Sequence, residues 1–382
     1  MIIYLICFLI SIIFMYLTEK STNKWKKRIS LLISFLAPTI LAAFRGYNVG
    51  TDISIYGKLY FDLAAVTKSM SNYLVLYKSV EYGYLIINFI VSRIINNFNF
   101  FLFVVQFIIN FGVFYYIYNK EDDVPKYLKL MTYLFFFYNI TFNIIRQSVA
   151  ISIFLYAMFM AEKKAYLKSV IILFFAVFFH ISIIATFPIV FLMMVFNSSR
   201  YKSKEKFFFA TIVALSLGML MMNYERIMYF LVYILNLLPE KYYNYILPNA
   251  IGEIQLRSFI LLLILRVIIY SFAIIGTMCA NKIKSYKEEH SDKNYIYILL
   301  LIIDLLVFLL KYKMTNIDRL GFYYSLLGIL NTYPKFYLVV KKNKFNKILL
   351  NIILFGILFV YWYVVFIHYN MNETYPYYIQ IY

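Results

Sequence analysis

The chain has 382 residues, 63% of them hydrophobic and 21% aromatic, with only 14% charged. A soluble protein is nearer half apolar and a quarter charged, so a water-soluble enzyme is excluded. The 37 Lys and Arg against 18 Asp and Glu give +19, but these cations sit in short loops between long apolar runs, which points to a membrane and not to nucleic acid.

Runs of roughly 17–25 apolar residues suit membrane helices rather than barrel strands. The expected fold is therefore all-α and polytopic, a single multi-pass membrane domain over 1–382. The first run, residues 2–17, has no basic residue before it and Lys20, Lys24, Lys26, Lys27 and Arg28 after it. A cleaved signal peptide has the opposite order, so this reads as a retained helix with its N-terminus outside. Further apolar runs lie at 29–44, 82–97, 98–118, 128–143, 146–161, 168–179, 182–196, 207–223, 257–280, 295–311, 319–340 and 348–367. They give about 11–13 membrane helices, one or two of them re-entrant or half-length. Segments 45–80 and 224–256 are expected outside, with 227–238, bounded by Arg226 and Pro239, as a re-entrant or interfacial helix. Cys7 and Cys279 lie in apolar stretches and match no metal or redox spacing.

Five loops, 18–28, 161–168, 197–206, 281–294 and 341–347, hold 20 of the 37 cations, and the positive-inside rule places them in the cytoplasm. An even number of crossings must then separate 18–28 from 161–168. The apolar runs between them are five, so one does not span; 82–97, which carries Arg93 and several Asn, is the expected exception.

Those five loops use 18 Lys but only two Arg, Arg28 and Arg200. Arg45, Arg93, Arg146, Arg226, Arg257, Arg266 and Arg319 lie instead in or beside membrane segments. Arginine offers a rigid donor fork that suits phosphate or carboxylate, and a charge near the membrane interior is costly. Arg266 is expected to pair with Asp304, and Arg93 to snorkel to an interface. Arg45, Arg146 and Arg319 each begin a polar cluster at the outer end of a helix.

The first cluster runs from Arg45 through Val49, Gly50, Thr51 and Asp52 to Tyr56. The second, Asn143, Arg146, Gln147 and Ala150, opens a helix and places Asn143 on one face with Arg146 and Gln147. An arginine at a helix N-terminus, itself partly positive, is awkward without an anion. The third, Ala176, Phe179, His180 and Ser182, sets an imidazole in an apolar run. A weaker echo is Asp318, Arg319 and Tyr323, and Glu81 precedes the Gly83–Tyr84 pair.

In this order the segments resemble the EpsG-like branch of the Wzy-type polysaccharide polymerases of bacterial envelopes. The ordered core covers about 45–182, with the weaker match reaching 323; this chain has Ile53, Ser54 and Ile55 after Asp52 where the pattern more usually continues with Thr. The resemblance implies a GT-C-like membrane glycosyltransferase in the bacterial plasma membrane, its active site facing outside. It would join undecaprenyl-diphosphate-linked oligosaccharide repeat units into a capsule, exopolysaccharide or O-antigen chain. Its partners would be those lipid-linked oligosaccharides, membrane lipids, and chain-length regulator and flippase proteins. The expected catalytic residues are His180, Asp52 and Arg146, with Arg45, Glu81, Asn143, Gln147, Arg319 and Tyr323 binding substrate. Arg146 and Arg319 would hold the diphosphate with Arg45 helping; His180 would orient or deprotonate the acceptor hydroxyl, with Asp52 and Glu81 as rival bases. No metal or other cofactor is expected, because no DxD-like or His/Asp cluster suits a divalent ion. The Tyr-rich stretches 241–245 and 375–378 suit either sugar stacking or an interfacial aromatic belt. A polysaccharide ligase shares this chemistry with a different acceptor. A flippase or other transporter would be expected to show repeated halves, which are absent here. A membrane acyltransferase fits the Arg–Gln and Gly–Thr–Asp motifs poorly.

Overall fold

A computed structural model describes residues 1–77, 80–198, 256–311, 317–339 and 344–382, with scattered positions between 205 and 226. Among these the chain is helical and has no strand, only an isolated antiparallel bridge between Arg45 and Ile379. It is an all-α polytopic membrane protein. Five helices are long and apolar enough to span, at Ile2–Lys20, Phe98–Asn119, Ile145–Glu162, Ser258–Asn281 and Ile348–His368, and four shorter apolar helices accompany them. The expected segment 227–238, most of 207–223, Tyr242–Tyr245 and the Arg257 side chain lie outside the described residues.

The described residues gather into two compact units, one of Met1–Met160, Leu167–Ile184 and Val340–Tyr382, the other of Ala161–Tyr166 and Ala185–Val339. In the first unit, α1 (Ile2–Lys20) and α2 (Lys24–Ala43) form an antiparallel pair. Asn23 opens α2 by accepting from the N–H groups of Trp25 and Lys26 at 2.9 and 3.2 Å. Pro38 inside α2 has no N–H, so the Ser34 carbonyl four residues back loses its helical donor. The Ser11 hydroxyl of α1 donates to that carbonyl at 2.6 Å, and the Ser34 hydroxyl donates to the Ser11 carbonyl at 2.7 Å. A defect in one helix is thus repaired by its neighbour.

After the polar stretch 45–52 come a π-turn (Ile53–Gly57), α3 (Lys58–Val66), α4 (Met70–Leu76) and α5 (Tyr82–Ile94). They are followed by α6 (Phe98–Asn119), α7 (Lys126–Phe136) with a 3-10 extension (Tyr138–Phe142), α8 (Ile145–Glu162) and α9 (Tyr166–Val177). Asn99 at the start of α6 donates to the Ala43 carbonyl at 2.9 Å, which sets that start beside the end of α2. At the other end Glu19 of α1 accepts from the N–H groups of Lys126 and Tyr127, capping α7. α8 runs parallel to α6: Ser152 donates to the Ile108 carbonyl, and Tyr115 packs edge-on to Tyr156 and Phe159.

Residues 45–97 leave from and return to one end of the unit, where Asn99 donates to the Ala43 carbonyl. Arg93 donates to the carbonyls of Ala64, Ala65 and Thr67, closing the C-terminus of α3, and stacks on Phe89.

The second unit holds α10 (Phe187–Asn197), α11 (Leu256–Asn281), α12 (Lys284–Leu310), α13 (Asp318–Thr332) and the short α14 (Phe336–Val339). α15 (Lys344–Trp362) returns the chain to the first unit. Gly321 and Gly328 let α13 approach α12 closely; a Cβ on Gly328 would lie 2.7 Å from Leu301 Cδ2. Arg266 of α11 pairs with Asp304 of α12 at 2.7 Å, as residue type and position led us to expect, and Tyr270 donates to the same carboxylate oxygen at 2.5 Å.

Candidate functional site

In the first unit the polar cluster after α2 meets the start of α8. Gly50, at φ +91°, occupies the left-handed region, and a Cβ there would lie 2.8 Å from the Phe142 carbonyl oxygen. Glycine is therefore needed both for conformation and for close approach. The Thr51 N–H donates to Asn143 Oδ1 at 2.7 Å, and the Ile145 N–H donates to Asp52 Oδ2 at 2.9 Å. Asp52, 93 residues away in sequence, caps α8 and supplies negative charge to its N-terminus.

Arg146 sits in the first turn of α8, its guanidinium carbon 3.9 Å above the Tyr56 ring. Its Nη1 donates to Glu81 Oε2 in a short ion pair, with both side chains 10% exposed. The anion that this arginine demands is therefore present in the fold, supplied by Glu81 and Asp52. Tyr84 donates to the Tyr56 carbonyl at 2.9 Å and ties α5 to the same cluster. Gln147 is buried one residue further on.

Arg45 is different. It is 2% exposed, and its guanidinium carbon lies 4.2 Å from the centre of the Phe142 ring. Among the described residues its side chain makes no ion pair or hydrogen bond, and its buried Nε has no acceptor. Burial pushes its pKa down from the ordinary value, while Tyr138, Tyr377, Tyr4 and Asp52 favour the charged form. Arginine starts so high that it stays charged.

His180 follows the turn at the end of α9. The Gly83 N–H donates to the Phe178 carbonyl at 2.8 Å, docking the His180 turn beside Glu81, and a Cβ on Gly83 would meet that oxygen at 2.8 Å. The Ser182 N–H and hydroxyl lie 3.3 and 2.6 Å from His180 Nδ1. A backbone N–H can only donate, so Nδ1 accepts and the neutral ring carries its proton on Nε2. The imidazole is half-buried.

The structure therefore gathers Arg45, Asp52, Tyr56, Glu81, Asn143 and Arg146, with the His180 turn docked on the Glu81 segment. Arg319 and Tyr323 belong to α13 of the second unit, where neighbouring Asp318 pairs with Lys311 at 2.5 Å and Tyr323 is fully buried. Two features of the first-unit cluster have no counterpart in the sequence reading: the Phe142 ring under Arg45, and the packing of segment 370–382, with its Tyr-rich stretch 375–378, along the Arg45 loop. Tyr377 and Tyr378 of that segment hydrogen-bond to the α2 end and the loop, at 2.5 Å to the Leu41 carbonyl and 2.9 Å from the Asn48 N–H. Gly46, whose added Cβ would fall 1.8 Å from the Tyr378 ring, is the one local signal of that packing. No group of three or more His, Cys, Asp or Glu among the described residues is arranged to share a metal ion.

Helices suited to a membrane, with arginines and carboxylates gathered at the N-terminus of one of them, define a multi-pass membrane protein with a buried polar cluster. The family profile of the EpsG family matches residues 28–379. The chain belongs to the EpsG family, and that membership points to a polysaccharide-polymerase type of function and a glycosyltransferase-like activity. No curated protein matches the chain, and no solved structure matches it.

Proposed function

We propose that this protein joins oligosaccharide repeat units carried on undecaprenyl diphosphate into a surface polysaccharide. The reaction would take place at the outer face of the bacterial plasma membrane. The observation that carries this reading is Arg45, a buried guanidinium in the polar loop after α2 that has no ion pair or hydrogen bond among the described residues. A buried charge left uncompensated costs several kcal/mol, of order 3–5 when a partner is removed. A fold keeps such a group where an anion arrives from outside.

In the reaction, the bond between the sugar anomeric carbon and the diphosphate oxygen breaks. An acceptor hydroxyl oxygen bonds to that carbon and gives its proton to a base. Negative charge collects on the departing diphosphate, where Arg45 and Arg146 would stabilise it. A diphosphate reaching Arg146 would compete with Glu81, and the displaced carboxylate is then free to take the proton; Asp52 stays committed to the α8 N-terminus. His180 would donate from Nε2 to orient the acceptor or a phosphate oxygen. Asn143 and Gln147 would frame this surface.

Purified protein in vesicles, supplied with lipid-diphosphate-linked repeat units, should give a ladder of products spaced by one repeat, unchanged by EDTA. Single transfer to a different lipid acceptor would identify a ligase. Movement of the intact lipid-linked unit across the vesicle without any new glycosidic bond would identify a transporter and overturn the reading.

A further inference from the structure

We infer that residues 370–382 form a strap that positions Arg45 for its anion, an inference that rests on Arg45 being the anion ligand. The loop that carries Arg45 does not hold itself. Its backbone N–H groups at Gly46, Tyr47, Asn48 and Gly50 all donate to the strap. Their acceptors are the Tyr378 carbonyl at 3.0 Å, Gln380 Oε1 at 2.9 Å, the Tyr378 hydroxyl at 2.9 Å and the Glu373 carbonyl at 2.8 Å. In return the Gln380 N–H donates to the Phe44 carbonyl at 3.0 Å, on the residue before Arg45. Within the loop itself the Val49 N–H closes a turn on the Gly46 carbonyl at 2.9 Å.

The strap is anchored independently of the loop. The Tyr4 hydroxyl donates to the Thr374 carbonyl at 2.8 Å and Asn139 donates to the Thr374 hydroxyl at 3.0 Å. At the far end Asn99 donates to the Gln380 carbonyl and accepts from the Tyr382 N–H, and Asn97 donates to the Tyr382 carbonyl at 2.8 Å. α1, the α7 extension and α6 therefore fix the strap, and the strap fixes the loop. This chain of contacts explains how a charged side chain without a counter-ion keeps one place: the backbone around it is satisfied from outside the loop. Gly46 is the point where the two meet most closely, its Cα facing the Tyr378 ring.

The test is a double-mutant cycle on the full-length protein in vesicles, reading kcat/KM for the lipid-diphosphate-linked donor. Gly46→Ala should unseat the strap and lower kcat/KM at least tenfold, yet add less than twofold in an Arg45→Ala background. Tyr378→Phe, which keeps the ring and removes the acceptor for Asn48, should lower it two- to fivefold with the same dependence on Arg45. Gly356→Ala, whose Cβ meets nothing within 4 Å, is the silent control. Equal losses from Gly46→Ala and Tyr378→Phe in both backgrounds would overturn the strap's role while leaving Arg45 as the anion ligand. A gain in kcat/KM would also overturn it, since the strap would then be a cover rather than a support. Wild-type kcat/KM for Arg45→Ala alone would sink the anion-site reading and the strap proposal together.

Discussion

Two buried arginines, one in each compact unit, have opposite surroundings. Arg266 in the second unit is paired with Asp304, lies 4.2 Å from the Phe308 ring, and shares its carboxylate with the Tyr270 hydroxyl. Arg45 in the first unit has an aromatic ring beside it at the same 4.2 Å but, among the described residues, no ion pair. Arg146 stands between the two cases, with Glu81 as its partner and Tyr56 beneath it. Position in a membrane protein therefore does not by itself distinguish an architectural arginine from a functional one. We propose that an arginine the fold leaves without an ion pair, as Arg45, is the one kept for an external anion.

The sharpest way to break this comparison is to remove one partner of the architectural pair. Asp304→Ala leaves Arg266 buried and uncompensated, and should cost about 3–5 kcal/mol. The protein should then largely disappear from the membrane fraction, whereas the combined change Arg266→Met with Asp304→Leu should restore much of it. Wild-type levels for Asp304→Ala would remove the contrast.

Arg45→Ala should do the reverse. Protein in the membrane should stay near the wild-type level, while polymer formation falls about 10²–10³-fold, the scale for losing a preorganised donor to a developing anion. Asp52→Ala should uncap α8 at a cost of about 1–2 kcal/mol, lowering the thermal midpoint by a few degrees. Asp52→Asn, which keeps an oxygen acceptor, should recover most of that stability. The smallest effect is expected at His180. His180→Gln retains a donor and should cost less than tenfold in rate, well short of the roughly 10²–10⁴ carried by a general base. A loss of that larger size would make His180 the base and return the Nε2 proton to question.

Much of this was legible in the amino-acid sequence because it rests on residue type and local pattern. Apolar run length defines the helices, and Arg266 had one obvious partner in Asp304. The polar clusters were also readable as clusters. What each member does was not, since that depends on contacts between segments far apart in the chain. Asp52 caps a helix 93 residues away. Arg93 seals the end of α3 through backbone carbonyls that any residues could provide. The strap is held largely by main-chain groups, which leave no side-chain signature except the space kept open by Gly46.

The most direct measurement is equilibrium binding of undecaprenyl diphosphate to the purified protein in detergent, compared across three chains. The wild type and the charge-free Arg266→Met/Asp304→Leu variant should bind alike, and Arg45→Ala should bind at least tenfold more weakly. Equal affinity for wild type and Arg45→Ala would contradict the account, because Arg45 would then be a buried charge with no anion to receive.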